Sequence, residues 1–248
     1  LIQLVISLPS FLITTTATPV CPSPKVPDSS ILKDTMNAFA IGGVVPDLLP
    51  EFTPVAMMRV EYCNNGIYLF LSADPNKLLY HPNPFGTVFF PGQRVPQSLT
   101  LEQPTIRIRS PPHQPPSLLC LRILITLLLC WIRMFLVGLI QPWARHMLAT
   151  GVKLKTNDPY FDLDFPVKPL SPYFPPAPPE ATGFHRYTFL LYYGQPSPES
   201  IQDFDRKYPS RYNFDLRQFV AEAGLCDPIA GTFMFTENSK DEAETLVH

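Results

Sequence analysis

"GFHRYTFLLYY" (residues 183–193) decides the fold. Beyond Arg186 the run carries no charge and is rich in aromatic and aliphatic residues, which reads as a buried β-strand. Successive strand side chains point to opposite faces. His185, Tyr187, Phe189, Leu191 and Tyr193 therefore share one side, and Arg186, Thr188, Leu190 and Tyr192 the other. An imidazole and a phenol become neighbours at the polar opening of an apolar strand. Together they offer N–H and O–H donors, a setting that suits a phosphate or carboxylate partly stripped of water. The same pair also fits a core edge, with His185 bonded to backbone and Tyr187 simply packed. Arg186, on the opposite face, reads as structural, paired with a carboxylate or with backbone carbonyls.

Working outward, the 248 residues are 46% hydrophobic, enough for a substantial core. A formal net charge of -2 leaves no broad positive field, so nucleic acid is excluded as a partner. The 31 prolines favour short strands, turns and extended connections over long helices, and the class expected is mainly β. Five cysteines, Cys21, Cys63, Cys120, Cys130 and Cys226, show no metal spacing, so neither a metal nor another cofactor is expected. Residues 1–24 read as a leader or truncated signal peptide, with a disordered or strand-forming arm as the alternative. Residues 25–248 read as one domain. The compartment stays open between secreted and cytoplasmic.

Residues 28–41 place apolar side chains at helical spacing behind a Ser/Asp cap and predict a short helix. Residues 52–62 and 67–71 read as strands of a hairpin around Asn64-Asn65-Gly66. In 106–109, Ile106 and Ile108 alternate with Arg107 and Arg109, a half-buried strand. Residues 146–154 and 227–237 also read as strands, and 165–180 as a proline-rich extended loop. Near the C-terminus, apolar positions 216, 219, 220 and 223 before Gly224 predict a helix, with Asn213 as its N-cap. One segment breaks this style. Residues 118–140 are apolar but for Arg122, Arg133 and Thr126, long enough for a single-pass anchor. Arg133 opposes that reading, since a cation at a helix centre costs roughly 2.5–3.5 kcal/mol on insertion. No stable membrane span is expected.

Gly183-Phe184-His185-Arg186, the following helix and "CDPIAGTFMFTE", with "VVPDLLPEFTPVAMMRVEY" and "PGQRVPQSLTLEQPTIRI" upstream, resemble the phosphatidylethanolamine-binding protein family. The resemblance covers roughly residues 30–110 and 143–237. It implies an antiparallel β-sandwich with a few peripheral helices. It also implies a small anion pocket lined by His185 and Tyr187, with His146 matching the family's other pocket histidine. The implied ligand is a phospholipid headgroup or phosphate-like anion, and the implied protein partner a protease, as in serine carboxypeptidase inhibition, or a signalling kinase. The expected activity is binding, not catalysis. An acid–base hydrolase using His146 and His185 is the alternative, but no Gly-x-Ser-x-Gly elbow, metal spacing or phosphate loop accompanies the pair.

The family's Asp-Pro-Asp-x-Pro-Ser-Arg signature, whose first Asp belongs to the pocket, is absent, and the apolar run stands in its place. Reading the third base of each codon with the first two of the next forces Leu at the junction of Cys130 and Trp131. It then forces Asp at Trp131/Ile132 and Val at Met134/Phe135. The intervening and following junctions admit Pro, Asp, Pro, Ser and Arg, so the missing signature lies in the neighbouring frame. Residues 118–142 are accordingly read as a shifted translation. Sequencing the transcript is expected to show a frame change on each side of this segment; a continuous open frame encoding the run as printed would refute the reading.

Overall fold

The structure is a computed structural model and describes residues 21, 29–62, 69–71, 78–80, 87–110, 125–133 and 143–238. Two helices come first, α1 (Ser30–Ile41) and the short α2 (Val44–Asp47). Strands β1 (Met57–Tyr62), β2 (Leu69–Leu71), β3 (Leu78–Tyr80), β4 (Thr87–Val88), β5 (Gln93–Arg94) and β6 (Thr105–Arg109) follow. Next come β7 (Ile125–Arg133), β8 (Ala144–Asn157), β9 (Tyr160–Asp164) and β10 (His185–Tyr193). Helices α3 (Pro198–Gln202), α4 (Phe204–Lys207) and α5 (Leu216–Ala223) precede the last strand, β11 (Pro228–Thr236). Nine strands hydrogen-bond in the order β4-β1-β6-β9-β8-β7-β10-β11-β5, and β2 pairs apart with β3. Every pairing is antiparallel except that of β5 with β11.

The long β8 turns this ladder into two layers. Its first part pairs with β7, and from Lys153 onward it pairs with β9. Between the layers lies one core cluster, which joins Val60, Tyr62, Ile106 and Ile108 to Tyr187, Phe189 and Leu191. A second cluster, on the other side of β10, packs Leu190 and Tyr192 against Phe39, Phe204, Phe214 and Phe219. Thus β10 is buried on both faces, between a second sheet and a layer of helices. That is why its sequence shows no polar alternation after Arg186. The fold is the mainly β, antiparallel sandwich with peripheral helices that the sequence predicts.

The elements obey local chemistry with some departures. α1 buries Leu32 and Phe39. α5 ends on Gly224, at φ 64, but its N-cap is Asp215, whose Oδ1 accepts from Gln218 N at 2.9 Å. Asn213, predicted as that cap, takes φ 58 in the turn before it. The predicted hairpin is also replaced: β1 pairs with β4 and β6, and β2 with β3. Cys21 is joined to Cys226 by a disulfide spanning 205 positions, which fastens the chain before α1 to the end of α5.

In the apolar run, residues 125–133 form the strand between β8 and β10, in register from His185↔Arg133 to Tyr193↔Ile125. A strand hydrogen-bonded on both sides is no membrane helix, and among the described residues no helix is long and apolar enough to cross a membrane. The remainder of 118–142, the leader 1–24 except for Cys21, and the tail beyond 238 lie outside the described residues.

Arg186 sits in the helix-facing side of β10 at 1% exposure. Its Nη1 donates to the Gly42 carbonyl, and its Nη2 to Asp47 Oδ2 at 3.2 Å. Gly43 lets the chain turn there: its φ is +66, and a Cβ would lie 2.9 Å from Arg186 Nη1. The guanidinium thus ties the α1–α2 turn to the central strand. Arg186→Met is expected to cost about 2–4 kcal/mol, because the Gly42 carbonyl loses its donor and Asp47 its partner. Urea unfolding measures it; an unchanged midpoint would contradict the tie.

Candidate functional site

A cavity of about 340 Å³ opens where the start of β8 meets two irregular segments, and its walls include His146, Phe174, Ala177, Tyr187, Arg211 and Tyr212. The register of β8 against β7 creates the site. Met147 faces Leu129 and Arg145 faces Cys130, so His146 is an extra residue bulged between them. The bulge sends Arg145 and Met147, which a regular strand would put on one face, to opposite layers. Arg145 turns into the helical side, its guanidinium carbon 4.6 Å from the Phe204 ring centre and 4.9 Å from that of Phe214, and its Nε donates to Ser171 Oγ. His146 turns instead toward Tyr187, edge to face, with ring centres 5.1 Å apart.

The proline-rich loop 165–180 is a wall rather than a spacer. Tyr173 Oη donates to the Thr100 carbonyl at 2.6 Å, Gln97 to that of Pro176 at 3.2 Å, and Asn238 to that of Pro178 at 3.2 Å. Phe174 N donates to the His146 carbonyl at 2.8 Å, and His146 Nδ1 to the Phe174 carbonyl at 2.8 Å. Opposite, Arg145 N donates to the Arg211 carbonyl at 2.8 Å and Phe214 N to that of Trp143 at 3.0 Å, which sets the segment 211–214 along the edge of β8. Arg211 Nη1 reaches back to the carbonyls of His146 at 3.1 Å and Arg145 at 3.4 Å.

Of the sequence-predicted site residues, His146 and Tyr187 meet at the cavity wall. His185 lies two positions before Tyr187 on the same face of β10, yet it is wholly buried and outside the lining. Its Nε2 is 2.6 Å from Thr182 Oγ1, and that hydroxyl donates to the Pro179 carbonyl at 2.7 Å. A hydroxyl has one proton, so His185 Nε2–H is the donor to Thr182. His185 therefore supports the wall through Thr182 and Pro179. The expectation that it lines the pocket itself is corrected: packing over the start of β10 leaves it no opening. Gly183 holds φ +72 with nothing within 4 Å of a Cβ, so backbone conformation, not crowding, calls for glycine there. Phe174, Arg211 and Tyr212 were not singled out in the sequence, since loop residues carry no periodic signal.

The site's charge is set by burial. Desolvation, with the Arg211 guanidinium adding to it, lowers the His146 pKa from 6.5 to about 4, so the imidazole is neutral near pH 7. Desolvation likewise raises Tyr187 well above its ordinary value, and the phenol keeps its proton. Arg211 remains a cation, although burial lowers its pKa. Among the described residues no Asp or Glu lines the cavity, and they include no cluster of His, Cys, Asp or Glu able to hold a metal.

The His146 shift carries a sign. Unfolded, the imidazole takes a proton near 6.5; folded, only near 4. Stability is therefore full above pH 6.5 and falls as pH drops toward 4, by about 3 kcal/mol in all at roughly 1.4 kcal/mol per unit. Urea unfolding from pH 7.5 to 4 is expected to show this loss in the native chain and a shallower one in His146→Gln. Parallel curves would contradict the assignment.

Comparison with known proteins places this geometry. Residues 128–234 match the sequence model of the family described as phosphatidylethanolamine-binding protein. Phomoidride biosynthesis cluster protein N of Talaromyces stipitatus is 36% identical over 75 residues, 29% of this chain and 37% of that protein, so the match spans little more than a third of the relative. Among solved structures, a carboxypeptidase Y inhibitor complexed with its cognate proteinase superposes with a TM-score of 0.58 at 17% identity, over 84% of this chain and 97% of the inhibitor. A phosphatidylethanolamine-binding protein from Plasmodium vivax gives 0.49 at 13% identity, over 83% and 98% of the two chains. Residues 128–234 thus match the phosphatidylethanolamine-binding protein family in sequence, and over most of its length the chain shares the fold of the carboxypeptidase Y inhibitor.

Proposed function

We propose that this protein is a binding protein and not an enzyme, and that it takes a small phosphorylated anion, a phospholipid headgroup or a free phosphate ester, in the His146–Tyr187 cavity. The observation that carries the reading is the edge-to-face contact of His146 with Tyr187 in the wall of a cavity that no described carboxylate lines. Protonated Tyr187 is a donor, and a buried oxyanion needs donors more than it needs bulk charge. Against acid–base hydrolysis stands the separation of the histidines: His146 faces the cavity, while His185 lies behind Thr182.

Inhibition of a serine carboxypeptidase is the protein-level role proposed with it. Its support is the likeness in fold to the carboxypeptidase Y inhibitor. Regulation of a signalling kinase is the second protein-level role, and it rests on the family likeness alone. The Cys21–Cys226 disulfide supports an oxidising compartment, and hence the secreted alternative.

Titration with O-phosphoethanolamine and with inorganic phosphate, followed through the histidine ring resonances, tests the cavity. Saturable movement of His146 at millimolar ligand is expected, with affinity about tenfold weaker or worse in Tyr187→Phe, since a hydrogen bond to a charged group is worth about 1.5–3 kcal/mol. No movement of His146 with either ligand would remove the proposal.

A further inference from the structure

Among the described lining residues, Arg211 is a cation whose donors are not all spent. Arg145 is turned into the helical layer and bonded to Ser171 and the Tyr208 carbonyl. Arg211 uses Nη1 on two carbonyls, and its Nε and Nη2 have no hydrogen-bond partner among the described residues. No described carboxylate pairs with it either. Its guanidinium lies 5.7 Å from the ring centre of Phe174. Phe174 and the adjacent Tyr212 also line the cavity and stand exposed, at 43% and 58%. Large aromatic side chains left open to water, beside a cation without a counter-ion among the described residues, are an unusual use of surface. A ligand that covers the rings and meets the cation would recover both terms.

The geometry points to Arg211 as the residue that reads the anion, and to Phe174 and Tyr212 as a rim that selects an oxyanion carried on a flat apolar body. This deepens the reading proposed above and rests on it. The fixed fork of a guanidinium meets two oxygens of a phosphate or carboxylate, while a neutral imidazole adds no charge. Inorganic phosphate alone leaves the rings wet. A phosphate ester with a small aromatic group covers them, and the cavity is of a size that accepts such a ligand.

The test compares inorganic phosphate, phenyl phosphate and phenol on the full chain by calorimetry. In the native protein, phenyl phosphate is expected to bind at least about tenfold tighter than inorganic phosphate, and phenol not measurably. Tyr212→Ala, a change at an exposed side chain, should shrink that preference several-fold. Arg211→Gln, checked for folding by circular dichroism, should weaken both anions by about tenfold or more. If that variant does not fold, Arg211→Lys serves, with a loss of several-fold from the missing fork. Equal affinity for phosphate and phenyl phosphate in the native chain would overturn this inference and leave the anion-binding reading standing; binding of neither would end both. A folded Arg211 variant that binds as the native protein does would also overturn it. So would sedimentation with vesicles containing phosphatidic acid in the absence of any preference for phenyl phosphate, which would assign the site to a membrane surface instead.

Discussion

The whole arrangement depends on the burial of β10 from both sides. A strand at the centre of a sandwich normally faces another sheet on one side and water or a helix on the other. Here Tyr187, Phe189 and Leu191 meet the β1/β6 layer, while Leu190 and Tyr192 meet α1, α4 and α5. Such a strand tolerates an ionisable group only if every polar atom it buries is answered nearby. Arg186 is answered by the α1–α2 turn, and His185 by Thr182. The polar opening of the strand is thus two separate anchoring points, one per face, and the cavity begins one residue pair further along, at Tyr187.

The second constraint is the bulge at His146. A regular β8 would alternate through residues 145, 146 and 147 and put Arg145 and Met147 on one face. The extra residue breaks that parity. Met147 joins the inter-sheet core, Arg145 lies over the aromatic rings of the helical layer, and His146 faces Tyr187. Both irregular segments that complete the cavity hydrogen-bond to backbone around this same bulge, from Phe174 on one side and Arg211 on the other. A local disruption of the ladder therefore leaves carbonyls available, and those carbonyls set the walls.

What was legible in the sequence follows the range of the signal. β10, β6 and β11 were readable because apolar runs and period-two alternation are local, and α5 because its apolar spacing and Gly224 are local too. The partner of β1 was not readable: Asn64-Asn65-Gly66 has good turn chemistry, but pairing is decided by where the rest of the sheet lies. The helix cap at Asp215 in place of Asn213 was lost to a two-residue shift that only backbone dihedrals resolve. In the cavity, His146 and Tyr187 share a wall through the register of β8 and β10, whereas the depth of His185 depends on how the segment 179–182 folds back over it. Arg211 and Tyr212 had no signal at all, since a loop residue acquires a role only through the distant strand it lies against.

The charge of the cavity ties these observations together. An imidazole held neutral by burial and a phenol held protonated leave the guanidinium groups of Arg145 and Arg211 as the formal charges among the described lining groups, and Arg145 is turned into the helical layer. In the families of sites where a carboxylate faces two histidines, the acid keeps the imidazoles protonated and the net field small. With no described carboxylate in this lining, nothing raises the His146 pKa enough to offset desolvation, and the Arg211 guanidinium, 3.1 Å from the His146 carbonyl, pushes it lower still. The cation proposed to meet an anion thus adds to the desolvation that keeps its neighbouring imidazole uncharged. An anion entering the cavity offsets that contribution as it pairs with the cation, so binding and protonation of His146 are coupled by electrostatics alone, with no movement of the fold required.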